Sequence, residues 1–168
     1  MDARVLKDQH SDLVRNLDLT ASDVDGFRQK GFIKLENFLT SDAIAKLTAI
    51  ANQEVQGSDR SEFAKIAYDI GTKDNFLQDI YNSQEFRAIV RQLIGQPLIF
   101  TQGLGFGLAQ GDTGFCWHTG VVSFSYINPA DLGYTIWIPL TEINPQFQHG
   151  GMAYVPRNVL NGEYRFKL

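Results

Sequence analysis

The sequence predicts an α+β chain, with helices in its first half and strands in its second. Two observations carry this. Up to Gly95 the apolar residues recur at helical spacing behind Ser and Thr caps. After Pro97 the helix signals stop, and Gly, Phe, Thr, Val, Ile and Tyr become dense, the texture of a sheet.

The first 15 or so residues show no period, so residues 1–19 are read as a flexible arm ahead of a single domain over 20–168. Thr20, with Asp23 three residues on, is a helix N-cap with an acidic first turn, and Gly31 supplies a left-handed C-terminal stop. A short helix over about 21–30 follows. Phe32-Ile33-Lys34-Leu35-Glu36 reads as a strand. Thr40 caps a second helix whose apolar positions Ile44, Leu47, Ala51 and Val55 share a face. Another helix starts near Ser83, places Phe86, Ile89, Val90, Leu93 and Ile94 at helical spacing, and ends at Gly95. The stretch from Gly57 to Asn82 is ambiguous and helical in part. Strands are expected near 98–108, 115–126, 132–140 and 151–156, separated by the turns Gly111-Asp112, Asn128-Pro129 and Gly150-Gly151.

Composition removes several function classes. With a formal charge of −4 and scattered Lys and Arg, there is no electrostatic case for nucleic acid. No stretch approaches the roughly 18 apolar residues of a membrane span, and the polar start MDARVLKDQHSDL lacks a signal-peptide core. A soluble, cytoplasmic chain is the expectation. The single cysteine, Cys116, excludes an internal disulfide and a thiolate-cluster metal site, so any metal must be held by His and oxygen ligands.

The segment Gln110-Gly-Asp-Thr-Gly-Phe-Cys-Trp-His118-Thr-Gly120 carries the chemistry. It lies where a turn feeds a strand, and the two-residue period puts His118 and Gly120 on one face. In a facial triad of two His and one carboxylate, a His and an acid two apart on a strand point at one iron, and a distant His completes the set. Taken alone, a histidine in an aromatic strand is more often a hydrogen-bonded structural residue than a ligand.

Four segments add context: Gly31-Phe-Ile-Lys-Leu-Glu-Asn-Phe-Leu-Thr-Ser-Asp-Ala-Ile44, the Gly-Asp-x-Gly-x-x-Trp-His turn and strand, Tyr134-Thr-Ile-Trp-Ile-Pro-Leu140, and Gly150-Gly-Met-Ala-Tyr-Val-Pro156. In order and spacing they resemble the phytanoyl-CoA dioxygenase family of Fe(II)- and 2-oxoglutarate-dependent oxygenases, from about residue 20 to 160. The resemblance implies a double-stranded β-helix, a cupin-like jelly roll braced by N-terminal helices. It implies His118 as the first iron ligand and Trp137 on the strand flanking the 2-oxoglutarate pocket, with Thr135, Gln102 and Phe106 lining that pocket. A core aromatic is the plainer reading of Trp137. The implied cofactors are Fe(II), 2-oxoglutarate and O2, and the implied substrate is a small molecule or a carrier-tethered one.

The sequence departs from the family pattern twice. Gly120 stands where a hydroxylase has its carboxylate, as in the family's halogenases, where chloride takes the freed iron position. Fe(II), dianionic 2-oxoglutarate and two neutral imidazoles sum to zero charge, so a carboxylate or a chloride brings the centre to the same −1. Three readings stay open: a halogenase acting on an unactivated C–H bond, a non-catalytic binding protein on a decayed scaffold, and a hydroxylase with another acid. Asp112, in the turn six residues before His118, is poorly placed to be that acid. Secondly, the resemblance sets the second His and the Arg for 2-oxoglutarate well after the Gly150–Pro156 strand, where this sequence has Asn158 to Leu168. His10 falls in the arm, and His149 in a loop is read as a surface residue. An incomplete barrel is therefore expected, with open edges that favour self-association.

Overall fold

The computed structural model describes residues 13–54, 56–57, 65–68, 70, 74–118, 127–128, 131–144, 146 and 149–159. Helix α1 spans Ala21–Lys30. Its first turn is closed by a reciprocal cap: the Asp23 amide donates to Thr20 Oγ1 at 3.2 Å, and Asp23 Oδ2 accepts the Thr20 amide at 2.9 Å and hydroxyl at 2.7 Å. Gly31 ends the helix at φ 86°, donating its amide to Phe27 O, because only a residue without Cβ adopts that conformation freely.

Helix α2 spans Ser41–Glu54 and opens with the Ala43 amide donating to Thr40 Oγ1 at 3.3 Å. Its buried face is centred on Ala43 and Leu47, with Ile44 and Ala51 half-buried beside them. Val55, expected on this face, lies outside the described residues. Two short strands follow, β1 (Gln56–Gly57) and β2 (Lys65–Tyr68). Helix α3 (Asn75–Asn82), in the ambiguous stretch, is capped by Asp74, whose Oδ1 accepts the Phe76 amide at 2.7 Å.

Ser83 ends α3 and starts α4 (Gln84–Ile94). Its hydroxyl donates to Ile80 O at 2.8 Å and accepts the Phe86 amide at 3.2 Å, so one buried oxygen closes both helices. Gly95 stops α4 at φ 79°, as Gly31 does for α1.

The core gathers Val14, Leu47, Ile80 and Phe86, with Ile138 and Leu140 packed against it from far along the chain. Val14 corrects the expected arm. Val14 bridges Leu39, the Arg15 amide donates to Phe38 O at 2.8 Å and the Thr40 amide to Leu13 O at 3.0 Å. A lone Val offers no period to read, yet it is 3% exposed and anchors the segment. The pairing expected of Phe32–Glu36 falls instead at Leu39, beyond a turn at Asn37 with φ 56°.

Strand β3 (Leu104–Gly107) pairs antiparallel with β2, and β2 with β1, giving the order β1-β2-β3. Ile66 faces Phe106 in register, and the Ile70 amide extends the pairing to Gly103 O at 3.0 Å. Among the described residues, 132–140 and 151–156 make no ladder. A ladder needs a neighbour, and most of the expected 115–126 strand lies outside the described residues. No helix among the described residues is long and apolar enough to cross a membrane.

Candidate active site around His118

A tight turn delivers the chain to His118. Gly111 and Gly114 take φ 96° and 65°, and Asp112 Oδ2 accepts the Ala109 amide at 2.6 Å while its own amide donates to Ala109 O. The Asp112 carboxylate thus serves the turn, in keeping with its poor placement as a ligand.

Six residues after Asp112, His118 Nδ1 sits 2.8 Å from Cys116 O. A carbonyl only accepts, so Nδ1 is the donating nitrogen in this contact, and in the neutral ring of this exposed side chain Nε2 then carries the lone pair. Metal-bound histidines take this form, with one nitrogen donating to a carbonyl and the other on the metal. The ring lies edge-on to Phe115, centroids 5.5 Å apart, and Phe115 lies edge-on to Phe106 at 5.1 Å. Phe106 and His118, singled out separately in the sequence, are thereby joined through Phe115. The sequence reading missed Phe115, although its place three residues before His118 was the available signal.

Gln102 and Phe106 occupy one face of the β3 region by the two-residue period, and both are exposed. Thr135 and Trp137 sit on the segment whose alternate residues Ile138 and Leu140 pack on the helical core. Thr135 and Trp137 are exposed, Trp137 at 42%, so the indole is outside the core. No ring contact or hydrogen bond among the described residues joins either one to His118. Gly120 lies outside the described residues. His149 is exposed, with its amide directed at Asn144 O at 3.4 Å.

The phytanoyl-CoA dioxygenase (PhyH) family model matches residues 27–166, most of the chain. The chain belongs to the phytanoyl-CoA dioxygenase family. The PhyH match takes in His118 and the motifs at 110–120, 134–140 and 150–156. The chain matches no curated protein and no solved structure. PhyH enzymes are Fe(II)- and 2-oxoglutarate-dependent oxygenases that consume O2, which makes this chain an oxidoreductase of the dioxygenase type. With Nδ1 at the Cys116 carbonyl and no hydrogen bond at Nε2 among the described residues, His118 has one nitrogen that could serve as an iron donor. Among the described residues no group of three or more His, Cys, Asp or Glu converges on a metal position, so the other donors are not assigned.

Proposed function

We propose that this chain is a 2-oxoglutarate-dependent oxygenase on a double-stranded β-helix, holding Fe(II) through His118 Nε2 and halogenating an unactivated C–H bond of a small or carrier-tethered metabolite. The observation that supports the ligand role is the Nδ1 contact with Cys116 O, which favours the neutral tautomer with its lone pair on Nε2. Fe(II) with 2-oxoglutarate and O2 supplies the oxidising power for breaking such a bond. This chain's residues do the rest. The Cys116 carbonyl holds the proton on Nδ1 and makes the imidazole a better donor. Phe115 lies edge-on to the ring and is itself backed by Phe106, which gives one side of the imidazole an apolar neighbour. Thr135, Trp137 and Gln102 line the 2-oxoglutarate side in this reading.

The halogenase reading rests on Gly120, two residues past His118, which cannot ligate and leaves a position open for chloride. Its test is a chloride titration of the anaerobic Fe(II) and 2-oxoglutarate complex, followed through the metal-to-ligand charge-transfer band. The expected result is a chloride-dependent shift in the chain that disappears in Gly120→Asp. Absence of that shift, with succinate released once O2 is admitted, assigns hydroxylation. Absence of both, with no Fe(II) retained, assigns a binding protein on a decayed scaffold.

A further inference from the structure

We propose that a second ligand site, separate from His118, lies in the cleft at the C-terminal end of α1, and that it takes a planar organic anion: an aromatic ring carrying a carboxylate or phosphate. The cleft has a volume of about 530 Å³, within the range that encloses small molecules. Two ring pairs line it: Phe27 stacks on Tyr134 with centroids 6.3 Å apart, and Phe32 on Tyr154 at 5.1 Å. Leu93 and Ile94, from the end of α4, add apolar lining. Among the described residues that line it, all the charged ones are cationic: Arg28, Lys30 and Arg157.

Three cations at a helix C-terminus invite a plainer reading, that they neutralise the helix dipole. The hydrogen bonds speak against that as their whole role. Phe27 O already accepts the Gly31 amide, Arg28 O accepts the Arg157 guanidinium, and Lys30 O accepts the Arg157 amide at 2.7 Å. The carbonyl end is thus quenched from within the chain, chiefly by Arg157. Among the described residues Arg28 has only a 3.7 Å ion pair with Asp25, with both side chains 65% exposed, a contact that water weakens. The cleft therefore combines aromatic walls with a net positive rim, the combination that holds a flat ring by its faces and its anionic group by charge-assisted hydrogen bonds.

The test titrates the full chain with 2-naphthoate and 2-naphthyl phosphate, against neutral 2-naphthalenemethanol and ring-free acetate, following assigned amides by NMR. The expected result is that both naphthyl anions shift the Gly31 and Gly133 amides and acetate does not. Replacing the exposed pair with Arg28→Ala and Lys30→Ala weakens the anions about tenfold while the neutral alcohol stays within about twofold, because only the charge-assisted contacts are lost. Tyr154→Leu weakens all three ring compounds. His118→Ala leaves every affinity unchanged, so failure of the iron assignment would not touch this one. Unchanged anion affinity in the double variant, shifts centred on Leu104–Gly107, or sensitivity to His118→Ala would each overturn the proposal.

Discussion

Two residues show how single atoms set the local balance. The Tyr81 hydroxyl is buried without a hydrogen-bond partner among the described residues, and burial pushes its phenol well above the usual tyrosine range. A group with a raised folded value stabilises below its unfolded value, and that contribution is lost as pH rises beyond it. Alkaline unfolding driven by this group should therefore set in only above the usual tyrosine range. Tyr81→Phe removes the unsatisfied oxygen while the ring keeps its stacking on Phe100 at 4.5 Å, so stability should rise by about 1 kcal/mol. A loss of that size in urea unfolding would show that the hydroxyl has a partner. Gly103 is the opposite case, since a Cβ there would come within 2.2 Å of Ile70 O, a backbone atom that cannot swing away. Gly103→Ala should cost about 3 kcal/mol, the upper end for overpacking, and break the Ile70 pairing first. His118→Ala leaves an exposed position and should unfold at the same urea concentration as the parent while losing Fe(II) retention. A fall in both would make His118 structural.

At the scale of elements, what could be read from sequence was what is local. Thr20, Gly31, Thr40, Ser83 and Gly95 all act within four residues of themselves, and each sits where its cap was expected. The α1 cap also makes a test. The Thr20 hydroxyl, then its amide, hold the Asp23 carboxyl below the usual carboxylate range. A lowered folded value gives stability above the unfolded value that is lost as pH falls through the folded one. Thr20→Ala should thus cost about 1 kcal/mol near neutrality, and the gap to the parent should narrow in acid. A gap independent of pH would mean that Asp23 plays no part in the cap. What sequence did not disclose is what depends on distant partners. Leu39 pairs with Val14 on the far side of α1, and Phe115 links Phe106 to His118 through ring geometry that no spacing rule encodes. Trp137 is the harder residue: the plainer reading puts it in the core, but it is 42% exposed while Ile138 and Leu140 pack on the core, a division that depends on where the helices sit.

Across the whole molecule, apolar burial divides near Pro97. Among the described residues, every buried core position lies at or before Leu93, and every large exposed hydrophobic at or after Leu98, with Ile99 at 90% and Trp117 at 58%. Burial drives folding in proportion to area, so the helical part holds most of the packing free energy. Native-state hydrogen exchange should find the slowest amides in α2 and α4 and much faster exchange after residue 98. Equal protection in both parts would show that the later segment has found cover.

The Arg157 contact with the end of α1 joins residues 129 apart in sequence. Closing a loop that long costs roughly 4 kcal/mol in chain entropy, whereas two hydrogen bonds return only about 1 kcal/mol each. The clasp therefore cannot form first. It can close only after the helices and the Phe32–Tyr154 stack have brought the ends together, which makes it a late event in folding and an early one in unfolding. Stopped-flow kinetics of Arg157→Ala should show an unchanged folding arm and a faster unfolding arm, the signature of an interaction absent from the transition state. The stability lent by Arg157 would then be felt chiefly as lifetime: it sets how long the folded chain persists once the rest is built, and hardly at all how quickly it is reached.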